Sequence, residues 1–72
     1  MKGDFFYLRL GEKVIDIRKR KQITQEQLAF SSDLDRTYIA RIERGRANPS
    51  IKTLHKICKA LRVKLSKLFR GV

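Results

Sequence analysis

Apolar residues recur at spacings of three and four along most of the chain, and strand-type alternation is not sustained anywhere. Leu10, Val14 and Ile17 make one stripe and predict a helix over about residues 8–20. An earlier start, capped by Asp4, would add Phe5, Phe6 and Tyr7. Lys19-Arg20-Lys21 closes this helix with positive charge, favourable at the negative end of its dipole. Thr24-x-x-Gln27 has the capping-box form and opens a second helix, which brings Leu28 and Ala29 inward and runs to about Ser31. Asp33 stands at the following turn, where Asp tolerates a left-handed backbone better than most residues. Asp35 caps a third helix with Ile39 and Ile42 as its buried stripe, and Gly45 is its natural stop. Residues 45–49 read as a loop. Ser50 then caps a fourth helix through about Leu61, with Ile51, Leu54, Ile57, Cys58 and Leu61 on its apolar face. Beyond a break at Arg62-Val63-Lys64, the residues Leu65, Leu68 and Phe69 predict a short fifth helix. Five helices with very short connections predict a compact all-α domain spanning residues 1–72.

Charge changes this picture from a fold to a class of partner. The 72 residues hold 18 basic and seven acidic side chains, a net +11. Residues 1–43 contain nine basic and seven acidic residues, a net of +2; residues 44–72 contain nine basic residues and no acid, a net of +9. A structured domain with so positive a field points to a polyanion, either nucleic acid or an anionic membrane surface. Hydrophobic residues make up 42%, too many for a disordered polycation. No apolar run approaches the ~18 residues of a membrane span, and no secretory leader is evident. The single cysteine, Cys58, cannot form an internal disulfide, and the cytoplasm is the expected compartment.

The second and third helices carry the functional signal. Ala29 is small where two helices must approach closely, and Leu28, Leu34, Ile39 and Ile42 supply the apolar contacts. The turn between them is so short that the helices cross steeply, as in a helix-turn-helix unit over about residues 24–45. Such a unit can place its second helix in the DNA major groove while the first crosses the backbone. With Ile39 and Ile42 inward, Arg36, Thr37, Ala40, Arg41 and Arg44 lie outward or to the sides. Arg36 and Thr37, in the first turn, are the expected base readers. Arginine can fork onto guanine O6 and N7, and threonine can bond a base edge or touch a thymine methyl. Arg41, one turn on, is either a further base reader or a phosphate contact.

Residues 9–69 resemble the phage-repressor and Cro (Xre-like, lambda-repressor-like) helix-turn-helix family. The resemblance is carried by Thr24-Gln25-Glu26-Gln27-Leu28-Ala29, by Asp35-Arg36-Thr37-Tyr38-Ile39-Ala40-Arg41-Ile42-Glu43-Arg44-Gly45, and by Asn48-Pro49-Ser50-Ile51-Lys52-Thr53-Leu54. Leu34-Asp35-Arg36-Thr37-Tyr38-Ile39 also resembles the recognition helix of restriction–modification controller proteins. The resemblance implies a homodimeric transcriptional regulator reading a palindromic operator. It implies that Gln25 bonds a phosphate, helped by the free amides of a helix N-terminus. It places Thr24, Arg44, Arg46, Asn48, Ser50 and Lys52 along the DNA backbone, where contacts position the domain without reading sequence. Tyr38 either joins them through its hydroxyl or covers the third helix. The resemblance also implies a salt bridge between Arg18 and Glu43. Three positions depart from the family: Gln22 and Asp33 stand where it usually has glycine, and Lys64 stands where it often has a capping serine.

Pairing is expected through Leu65, Leu68 and Phe69, more apolar surface than so short an end helix easily hides; the alternative is that all three close the domain's own core. Other chemistry is thinly represented. Cys58 lies on an apolar face, His55 has no spaced ligand partners, and no nucleophile–base pair or phosphate-cradling loop is evident. No enzyme activity, cofactor, metal or small-molecule ligand is therefore expected. Two other classes compete with the regulator. A DNA-binding antitoxin would normally carry a further segment to wrap its toxin, and only three residues follow Phe69. A basic amphipathic membrane-surface protein would not need capped helices, short turns and an inward Ala29.

Overall fold

In the computed structural model, four successive helices stop in the same way. A residue in left-handed conformation ends the helix, and the next residue donates its N–H to the carbonyl five positions back. The left-handed residues are Gln22 (φ 59°), Asp33 (φ 58°), Gly45 (φ 73°) and Arg62 (φ 60°). The closing bonds run from Ile23 to Arg18 (2.9 Å), Leu34 to Ala29 (3.0 Å), Arg46 to Arg41 (2.9 Å) and Val63 to Cys58 (3.0 Å). Ile23, Leu34 and Val63 are apolar and pack against the core, which ties each chain reversal to burial. Gln22 thus keeps the turn that glycine would make more easily, at a cost of about 1 kcal/mol.

The backbone of residues 2–72 and the side chains from Phe5 onward are described. The helices are α1 (Lys2–Arg20), α2 (Gln25–Ser32), α3 (Arg36–Glu43), α4 (Ile51–Leu61) and α5 (Leu65–Phe69). All secondary structure among these residues is helical, as the hydrophobic spacing predicts. Thr24 and Gln27 form the reciprocal capping box of α2. Asp35 accepts from the Thr37 N–H at 2.9 Å and Ser50 from the Thr53 N–H at 3.1 Å, capping α3 and α4. Lys64 offers α5 no side-chain cap, so that helix is held by packing instead.

One core joins all five helices: Leu10, Val14, Ile17, Leu28, Ala29, Ile39, Ile42, Leu54, Ile57, Cys58, Leu61 and Leu68. Helix α1 packs on α3 and α5, α2 on α3 and α4, and α4 on α5. Burying a leucine or isoleucine fully contributes about 1.5–3 kcal/mol, so Leu68 alone gives α5 a firm seat. Burial in an apolar setting pushes the Cys58 thiol up from its ordinary pKa and leaves it a packed, uncharged side chain.

Several expectations need correction. Helix α1 begins at Lys2 rather than near residue 8, so the backbone of Asp4 lies inside it rather than at its start, and its side chain lies outside the described ones. Helix α2 runs to Ser32, whose buried hydroxyl donates to the Leu28 carbonyl at 2.7 Å and so needs no solvent. Ile51 is 60% exposed, because at helical spacing it falls at the edge of the stripe that Leu54, Ile57, Cys58 and Leu61 bury. Leu68 is fully buried within the domain and has no surface left for a partner.

Gly11 was silent in the hydrophobic pattern and is central to the packing. A β-carbon there would lie 2.4 Å from the Ile42 carbonyl oxygen and 2.6 Å from that of Glu43. Helix α1 therefore presses its backbone against the last turn of α3. The signal in the sequence is a glycine inside an otherwise helical run, a placement that weakens a helix unless close approach requires it.

Candidate nucleic-acid interface

The first turn of α3 stands free. Arg36 and Thr37 are exposed, and among the described residues neither side chain makes a hydrogen bond to the rest of the domain. Asp35 caps the turn beneath them, and Ile39, fully buried, anchors the helix two residues on. Both side chains are thus carried on a rigid support and remain available to an external partner. Tyr38 is half-buried and packs against the core, which agrees with a covering role for its ring.

The last turn is fastened. The Arg18 guanidinium meets Glu43 in a forked pair, Nε to Oε2 at 2.7 Å and Nη2 to Oε1 at 3.0 Å. Its remaining arm donates to the Ile23 carbonyl at 3.0 Å. The side chain of Glu43 is 3% exposed and that of Arg18 is 11% exposed, so the pair lies in a largely water-free setting. Gln25 completes the cluster, donating from Nε2 to Glu43 Oε1 at 2.8 Å. One buried carboxylate therefore joins the end of α1, the start of α2 and the end of α3. Arg41, also near the end of α3, donates from Nη2 to the Arg46 carbonyl at 3.2 Å. That bond occupies part of its guanidinium and links α3 to the loop over residues 45–50.

The other sequence-predicted residues are arranged around this frame. Arg44, Arg46, Asn48 and Lys52 are exposed. Thr24 and Ser50 are exposed too, but their hydroxyls already serve helix caps: Thr24 accepts from Gln27, and Ser50 both accepts from the Thr53 N–H and donates to Thr53 Oγ1 at 3.1 Å. Leu65 and Phe69 are half-buried on α5, and Phe69 stacks on Phe6 with ring centroids 6.2 Å apart. Phe6 also meets Tyr7 edge-on at 5.2 Å. Phe5, 64% exposed, and Phe6 leave an apolar patch where the two ends of the chain meet. Among the described residues no helix is long and apolar enough to cross a membrane. No group of three or more potential ligands among them could hold a metal ion.

Two short helices, α2 and α3, joined by the tight turn over residues 33–35 and packed on each other, with an exposed arginine and threonine on the first turn of the second, define the helix-turn-helix class of DNA-binding unit. The helix-turn-helix family model matches residues 14–68, and the chain belongs to this family. It is similar to the control protein C.MunI of Mycoplasma sp, 42% identical over 66 residues that cover 90% of this chain and 89% of that protein. It is also similar to the immunity repressor protein of Bacillus phage phi105, 44% identical over 57 residues, which are 79% of this chain and 40% of the repressor. Among solved structures it resembles the restriction–modification controller protein C.Esp1396I, a tetramer in complex with its natural 35 base-pair operator. The TM-score is 0.85 at 42% identity, covering 92% of this chain and 87% of that one. The chain is therefore a regulator by family and not an enzyme.

Proposed function

We propose that the chain is a sequence-specific, double-stranded-DNA-binding transcriptional regulator that acts as a homodimer on a palindromic operator, in the manner of a restriction–modification controller. The observation that carries this reading is the pairing of a free first turn on α3 with a clamped last turn. Arg36 and Thr37 reach base edges in the major groove. Arg41 steadies the adjoining loop and has guanidinium nitrogens left for a phosphate or a base. Gln25, Arg44, Arg46, Asn48 and Lys52 lie along the sugar–phosphate backbone and set the register; Thr24 and Ser50, whose hydroxyls cap α2 and α4, meet it at those helix starts, and Tyr38 joins them through its hydroxyl while its ring covers α3. The cytoplasm, where a bacterial or phage operator would be met, is its place of action. Likeness to controller proteins and a phage repressor favours this reading over an antitoxin.

A single recognition helix reads too few base pairs for one site in a genome, so two copies must combine. Leu65 and Phe69, extended by Phe6, form the pairing surface, with Lys64, Lys67 and Arg70 splayed at its rim. Selection of bound duplexes from a random pool tests the whole proposal. The expected product is a palindrome with half-site centres about one helical turn apart. With about six to ten phosphates contacted per dimer, affinity for it should fall ~10³–10⁵-fold between 50 and 200 mM salt. Unselective binding, or a flat salt response, would contradict the proposal.

A further inference from the structure

Glu43 is the one acid on α3, and its carboxylate is bonded to Gln25, the residue read as a phosphate contact. A carboxylate there repels the ligand unless it does something else. Both of its oxygens are engaged: Oε2 takes the Arg18 Nε, and Oε1 takes both the Arg18 Nη2 and the Gln25 Nε2. A carboxylate paired with a guanidinium only accepts hydrogen bonds. The atom that Gln25 turns toward it must therefore be the amide nitrogen and not the amide oxygen. An amide nitrogen carries two hydrogens, and Glu43 uses one.

We propose that Glu43 is a positioning residue for DNA binding: by fixing which way the Gln25 amide faces, it aims that nitrogen's second N–H outward as a ready donor to a backbone phosphate. This inference rests on the reading of Gln25 as a phosphate contact. Unrestrained, the amide would present its oxygen to phosphate in part of its population, and two acceptors repel. Arg18 matters as the anchor that holds Glu43 still and balances its charge. Its third donor, to the Ile23 carbonyl, fixes the backbone just ahead of the turn that carries Gln25. The cluster thus sets the reach of α2 toward one strand and the tilt of α3 toward the groove from the same carboxylate.

The test is a double-mutant cycle on duplex affinity with Gln25→Ala, Glu43→Gln and the pair, each first shown to melt cooperatively. Gln25→Ala should weaken binding about tenfold, the loss of one hydrogen bond to a charged group. Because Gln25 is neutral, the salt dependence should stay unchanged. On the Gln25→Ala background, Glu43→Gln should cost no more than about a third of what it costs in the wild type. Equal costs on both backgrounds would make Glu43 merely structural and overturn the proposal. Duplexes with single uncharged methylphosphonates check the underlying reading separately. One position should weaken the wild type and leave Gln25→Ala indifferent; if none does, Gln25 touches no phosphate and the inference falls with that reading. Should Glu43→Gln not fold, nitrogen relaxation on the wild-type side-chain amides decides. The Gln25 amide should be rigid and that of exposed Gln22 mobile, and equal mobility would refute the positioning role.

Discussion

Arg36 and Arg41 are both exposed arginines on α3, yet their surroundings differ. The Arg36 side chain makes no hydrogen bond within the described residues, whereas Arg41 is tied to the Arg46 carbonyl. The same contrast holds for their neighbours. Thr37 stands free, while Glu43 is buried and accepts three hydrogen bonds. The first turn of α3 therefore retains its bonding capacity for a ligand, and the last turn spends its own on the domain. A reader of base edges needs both conditions, because a forked hydrogen bond tolerates little error in the angle of the helix that carries it.

The largest effect should follow from cutting the clamp. Glu43→Ala leaves the Arg18 guanidinium nearly buried and unpaired, at a cost of about 3–5 kcal/mol. A core this small rarely supplies more than about 3–5 kcal/mol of net stability. The variant should thus be largely unfolded at room temperature by circular dichroism, and a melt close to that of the wild type would show the clamp to be dispensable. Next comes Gly11→Ala, which drives a methyl group into two backbone carbonyls of the last turn. Overpacking of this kind costs about 1–3 kcal/mol, more than the gain in helix propensity returns. A chemical denaturation midpoint at or above that of the wild type would mean that α1 and α3 are less closely pressed than the geometry says.

The smallest expected effect sharpens the contrast from the other side. Glycine occupies the left-handed position after α3, while Gln22, Asp33 and Arg62 occupy the equivalent positions after α1, α2 and α4. Gln22→Gly and Arg62→Gly should each relieve about 1 kcal/mol of backbone strain. Each thermal midpoint should then rise by about 4–8 °C, with operator affinity unchanged. A fall in the midpoint would assign Gln22 or Arg62 side-chain contacts that outweigh the strain.

How much of this was legible in the sequence depends on which atoms were involved. Caps and stripes are local: Thr24, Asp35 and Ser50 each bond an amide two or three residues away, so their spacing alone reveals them. The boundary of α1 was not legible, because the apolar run Phe5–Phe6–Tyr7 reads equally as helix or as the segment before one. Gly11 was missed because its role is to have no side chain opposite carbonyls 31 and 32 positions further along the chain. The Arg18–Glu43 pair is legible only through family resemblance, and its link to Gln25 is visible only in the folded structure, since 18 residues separate that donor from its acceptor. Ile51 and Leu68 show the limit of periodicity. Both sit at helical spacing on apolar faces, and only tertiary packing leaves one exposed and the other sealed.

The most direct test of a free, reading end and a fastened, positioning end is the affinity of Arg36→Ala and Lys52→Ala across a panel of operators, each with one base pair changed. Arg36→Ala should lose about 1–3 kcal/mol on the intact operator and become indifferent to one guanine in each half-site. Lys52→Ala should weaken every operator by the same factor and lower the salt slope by about one. If both variants keep the wild-type ranking of the panel, the first turn of α3 does not read bases and the account is wrong.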